Sequence, residues 1–133
     1  MNQLIARVSE ILHCDTLHIV KFSYNSQTLT MMSLELNAKV KVGTKVKLAL
    51  KPFNIALAKE LSGDLSFSNQ LNATIKQCEN GVLLCSVMLD FFGSTLEAIT
   101  TLSASKSMNL QVGDTLKVLI HASDLSISEI LDD

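Results

Sequence analysis

The chain has 133 residues, 47% hydrophobic and 18% charged, with one proline, five glycines and no tryptophan; it is the size of one ordinary domain or two very small ones and can fill a core. A net charge of −2 and few aromatics, five Phe and one Tyr, speak against nucleic acid, because single-strand-binding surfaces need basic grooves with stacking rings. No run approaches the ~18 apolar residues of a membrane span, no signal segment opens the chain, and three scattered cysteines make no disulfide framework, so a cytoplasmic location is expected.

In chain order, apolar and polar residues alternate with the period of two that marks half-buried strands. Leu4, Ala6 and Val8 alternate with Ile5, Arg7 and Ser9, and Val46, Leu48 and Leu50 with Lys45, Lys47 and Ala49. The pattern predicts strands over 2–12, 16–24, 28–33, 44–51 and 54–59. A polar joining stretch, 59–68, follows. Five further strands are predicted over 69–78, 82–91, 95–100, 114–121 and 124–129. Asn80-Gly81, between two alternating runs, predicts a type I′ hairpin. The non-alternating segments after the third strand of each set predict a short helical turn.

The two sets are one pattern written twice. Asn69-Gln70-Leu71 repeats Asn2-Gln3-Leu4; at the same offset of 67, Val20 falls on Val87 and Thr28-Leu29 on Thr95-Leu96. After a three-residue insertion, Val42-Gly43 falls on Val112-Gly113 and Lys47 on Lys117. Ordered identities across a whole half indicate internal duplication. The fold expected is all-β: two tandem OB-like five-stranded Greek-key barrels, residues 1–62 and 63–133, each with a short helical turn after strand three. The copies differ in charge. Residues 1–62 hold eight Lys/Arg against four Asp/Glu, a net +4; residues 63–133 hold three Lys against nine Asp/Glu, a net −6. Such asymmetry suits either solvated surfaces or a basic half meeting an acidic half of another subunit.

The second copy resembles the Mop-type TOBE module of the molybdate- and tungstate-binding proteins. It carries Ser66-Phe67-Ser68-Asn69 before Leu71, then Ile99-Thr100 and Ser103, then Leu110 to Gly113-Asp114, and closes with Ile120-His121-Ala122-Ser123. Those stretches follow, in order, that family's S-A-R-N-x-L, I-T-x-x-S, L-x-x-G-D/E and I-K-A-S segments. The first copy keeps Asn2, Leu4, Val42-Gly43 and Leu50-Lys51. The arrangement is similar to the family's paired, di-Mop proteins.

The resemblance implies a non-enzymatic binder of molybdate or tungstate that needs no catalytic cofactor and assembles as a dimer or trimer. Its oxyanion would be held by backbone N–H, Ser and Lys/His donors where modules or subunits meet. The opening segment and the I-K-A-S strand supply the family's ligands, which map here onto Ser66, Phe67, Ser68 and Asn69, onto His121, Ala122 and Ser123, and onto Lys51. His121 stands where the family has lysine, Ser68 where it has arginine, and Pro52-Phe53 where it has Ala-Ser. A composite site could join Ser66, Ser68 and Asn69 to Lys51, or to His121 and Ser123. If His121 is a ligand, a bound dianion favours its imidazolium, so binding tightens as pH falls from about 7.5 to 6.

Other side chains offer less. His13, Cys14 and His18 match no zinc spacing, so no metal site is expected. Nothing in the sequence pairs a nucleophile with a base. The alternative function is a non-catalytic assembly or regulatory module, without anion binding, of a molybdate transporter ATPase or a transcription regulator. Neither a P-loop nor a helix-turn-helix pattern occurs here, so that role needs a separate partner.

Overall fold

The computed structural model describes residues 1–131; the last two residues of the second repeat lie outside the described residues. Its elements are β1 (Asn2–Cys14), β2 (Leu17–Tyr24), β3 (Gln27–Ser33), β4 (Lys45–Leu50) and β5 (Ala56–Ala58), then β6 (Asn69–Asn80), β7 (Leu84–Phe91), β8 (Ser94–Thr101), α1 (Leu102–Met108), β9 (Thr115–Ile120) and β10 (Ser126–Leu131). No described helix is long and apolar enough to cross a membrane.

Two five-stranded sheets result, ordered β10-β4-β1-β2-β3 and β5-β9-β6-β7-β8. In each, three hairpin-connected strands are followed by a fourth that returns beside the first, the Greek-key order. A bulge interrupts β1 between Val8 and Glu10, and another interrupts β6 between Ile75 and Gln77. The same extra residue in both copies raises the local twist and curls each sheet in the OB-like manner.

The duplication is written in the burial. Val20, Leu29 and Leu48 are fully enclosed in the first sheet, as are their counterparts Val87, Leu96 and Val118 in the second. Each such side chain contributes about 1.5–3 kcal/mol by leaving water. The turn before the fourth strand is also built twice. Gly43 and Gly113, at φ of +94° and +95°, donate to the carbonyls of Val8 and Ile75 at 2.8 and 2.9 Å. Only glycine adopts that backbone without strain.

The sheets and the sequence repeats differ in one strand each. β5, from the first repeat, pairs with β9; β10, from the second, pairs with β4. One contact unit therefore comprises Met1, Gln3–Leu50 and the chain from His121 onward, and the other Asn2 and Lys51–Ile120. Residues 1–62 and 63–133 describe the repeat, and the fifth strands are exchanged. The exchange starts where each fourth strand stops, at Leu50 and Ile120. Pro52 cannot donate to a ladder, but β9 stops at the equivalent place with Ala122 there, so the stop does not depend on proline.

Two local expectations are corrected. Neither Asn80 nor Gly81 has a positive φ, and Asn80 pairs with Cys85 while Gly81 N–H donates to the Leu84 carbonyl at 2.7 Å, so this hairpin has a wider loop. The two-residue turns with positive φ at both positions are Asn25-Ser26 and Phe92-Gly93. The helix also forms in one copy only. Thr101 caps α1 by accepting from Ala104 N–H at 3.0 Å, and Asn109 ends it in the left-handed conformation. In the first copy, three residues shorter here, the Ser33 hydroxyl donates to the Glu35 carbonyl and Asn37 Oδ1 accepts from Lys39 N–H at 2.8 Å. These local bonds compete with helix formation and leave a run of turns.

Candidate functional site

The repeated opening asparagines are, with Ser105, the buried polar side chains of the described residues. Asn69, 1% exposed, opens β6 opposite Ile120, the residue before His121, and its Nδ2 donates to the Ile120 carbonyl at 3.2 Å. Asn2 applies its carboxamide to the peptide of Glu97 on the edge strand β8: Nδ2 donates to the Glu97 carbonyl and Oδ1 accepts from its N–H, both at 2.8 Å. Each amide thereby satisfies backbone groups that would cost about 1–3 kcal/mol if buried and unpaired.

Ahead of Asn69, Gln70 Nε2 donates to the carbonyls of Leu65 and Phe67 at 3.0 and 2.8 Å. That fixes the segment bearing Ser66 and Ser68, which are exposed, and Phe67, which is half-buried.

His121 ends the extended run of β9 and caps a 3-10 turn over Ala122–Asp124, with φ −66° and ψ 143°; Asp124 N–H donates to the His121 carbonyl at 3.0 Å. Lys51 caps the matching turn, Pro52–Asn54, with φ −81° and ψ 138°, and Asn54 N–H donates to the Lys51 carbonyl at 3.0 Å. The backbone is thus repeated although the side chains have diverged. Lys51, His121 and Ser123 are exposed, and Ala122 is half-buried. In such a turn the first N–H groups are not consumed internally. Ala122 supplies one; Pro52 has none. Phe53 stands 65% exposed where the second copy has the Ser123 hydroxyl.

The Gly-Asp turn serves the fold. Asp114 accepts from Gln111 N–H at 2.9 Å and from Lys59 Nζ at 3.0 Å. The Gln111 amide first, and Lys59 second, hold its carboxyl below the usual carboxylate range. Lys59 also donates to the carbonyls of Met108 and Asn109 at 3.1 and 3.0 Å, closing the C-terminal end of α1 with a cation, as the helix dipole favours. In sequence this lysine falls where the strand predicted over 54–59 meets the joining stretch 59–68, and its apolar neighbours in "ALAK" are the available signal.

Burial, and then the neighbouring Cys85, push the Cys78 thiol up, the direction opposite to that of an activated nucleophile. A cavity of about 440 Å³ lies in the first unit between β3 and β10, where that copy has no helix. Ser123 lines it, but so do Glu35 and Glu129, with no lysine or arginine. Two carboxylates oppose a dianion there.

No protein-family model and no curated protein matches this sequence. Among solved structures, the fold is similar to that of the cytoplasmic molybdate-binding protein ModG in a crystal form with molybdate bound. The TM-score is 0.89 at 23% sequence identity, covering 95% of this chain and 94% of that one.

Proposed function

We propose that this protein binds a tetrahedral oxyanion of the molybdate and tungstate type in the cytoplasm, for storage, buffering or sensing, and does no chemistry on it. The observation that carries this reading is the likeness to molybdate-bound ModG over nearly the full length of both chains. It is supported by the placement of the family-like segments at the ends of β4 and β9, where the chain changes sheets. The ligands proposed are the hydroxyls of Ser66, Ser68 and Ser123, the backbone N–H groups of Phe67, Asn69 and Ala122, and the side chains of His121 and Lys51. Hydrogen bonds to a charged group contribute about 1.5–3 kcal/mol each. Four at the upper end of that range, set against an association cost of about 4 kcal/mol, come to roughly micromolar affinity. Homo-oligomerisation, as a dimer or trimer, completes such sites where subunits meet.

One observation favours a second reading for the first copy. Pro52 removes a donor and Phe53 exposes a phenyl ring beside Lys51, which suits contact with a protein rather than an anion. On that reading the chain assembles with a transporter ATPase or a regulator.

Dialysis against molybdate followed by elemental analysis tests the proposal. Retention of molybdenum at one or more per chain, reduced in the His121→Ala/Ser123→Ala variant, is the expected result. Molybdenum no higher than in the surrounding buffer refutes it, and capture of a transporter or regulator subunit by that molybdenum-free protein favours the second reading.

A further inference from the structure

His13 and His18 are adjacent to a turn in sequence, and the strand register brings them face to face. They are directly opposed in the β1–β2 ladder, one pair before Cys14 and Leu17 close the hairpin. Their ring centroids are 6.0 Å apart and the planes meet at 33°. His13 is exposed and His18 half-buried, so solvent reaches the pair.

The His18 ring is already oriented. Its Nδ1 lies 2.9 Å from the Thr16 carbonyl. A carbonyl only accepts, so Nδ1 carries the proton and Nε2 of the neutral ring keeps its lone pair. Such a bond to the remote nitrogen is the usual support of a metal-binding imidazole. With metal–nitrogen bonds of about 2.0–2.1 Å, two rings on one ion have centroids roughly 4.5–6 Å apart. The observed 6.0 Å lies at the upper end of that range.

The pair is also not a requirement of the fold. The second copy pairs the corresponding strands, over a wider loop, with Asn80 opposite Cys85 at these positions. Cys14, the next residue, projects from the other face of the strand. Among the described residues no group of three or more His, Cys, Asp or Glu side chains is placed to hold a metal.

We infer that His13 and His18 form a two-nitrogen chelate for a divalent late transition metal, with water completing the coordination. Imidazole donors without a thiolate rank Cu²⁺ above Ni²⁺ and Zn²⁺. Because the ladder holds both rings on one side, the second nitrogen binds at high effective concentration, and losing either ring costs most of the affinity.

The test adds Cu²⁺ below one equivalent to the isotopically labelled protein at pH 7.5 and maps paramagnetic broadening of its amide spectrum. The expected result is broadening centred on residues 12–19, reversed by a chelator, with one ion per chain. His13→Asn, which installs the residue that the second copy has there, and His18→Asn should each weaken Cu²⁺ binding at least about tenfold, while His121→Ala leaves it unchanged. Unaltered spectra of the metal-free variants establish that they fold. Broadening centred on the amino terminus or on His121, or single variants that bind as tightly as the parent, would overturn the inference.

Discussion

Asn69 and Ile120 face one another at the ends of β6 and β9, and the asparagine side chain donates to the isoleucine carbonyl at 3.2 Å. The bond sits at the last residue of β9, immediately before the turn that His121 caps. Asn69→Ala leaves that buried carbonyl short of a donor, and the expected loss is about 1–3 kcal/mol. Chemical denaturation checks it; an unchanged midpoint would mean the amide is dispensable.

Asp114 makes stability depend on acid. Its carboxyl is held below the ordinary value of about 3.9, so its contribution is complete above that value and is lost as pH falls through the lower folded one. The stability gap between the parent and Asp114→Asn should be constant above about pH 5 and close in more acidic solution. Denaturation series at pH 3, 4, 5 and 7 read this directly. A gap that widens on acidification would contradict the sign.

Gly113, at φ +95°, holds the turn through its bond to Ile75. Although a methyl group there meets no neighbouring atom, Gly113→Ala should still destabilise by about 1 kcal/mol or more, from backbone strain alone. A thermal scan beside Gly81→Ala, whose backbone is not in the left-handed region, separates strain from crowding. An unaffected Gly113→Ala would refute the strain argument.

If His121 contacts the dianion, binding draws a proton onto its imidazole, and affinity rises as pH falls from about 7.5 to 6. His121→Lys, which stays charged over that window, should bind with a flatter profile. Equal pH slopes in both proteins would remove His121 from the site.

Strand content and the two-copy architecture were legible because a buried face imposes its period locally. Leu4, Ala6 and Val8 alternate in sequence and are buried in the structure. Pairing was less legible, since the Ala56–Ala58 segment carries no mark of which sheet will receive it. The Asn80-Gly81 signal misled for a related reason: a dipeptide favours a tight turn only where the register closes over two residues, and here Asn80 pairs with Cys85. The first copy's missing helix depended on competing bonds at Ser33 and Asn37, which no periodicity reveals. At the candidate site, the matching backbones at Lys51 and His121 were foreshadowed by the repeat. The burial of Asn2 and Asn69 was not, because a polar residue at the head of a strand reads as exposed.

The measurement that bears most directly on the central claim is a calorimetric titration of the protein with molybdate and tungstate, with sulfate as control, at pH 6.5 and 7.5. Saturable heats are expected for the first two at micromolar affinity or tighter, stronger at the lower pH, and none for sulfate. Absence of saturable heat for all three, in protein that unfolds cooperatively, would contradict that claim.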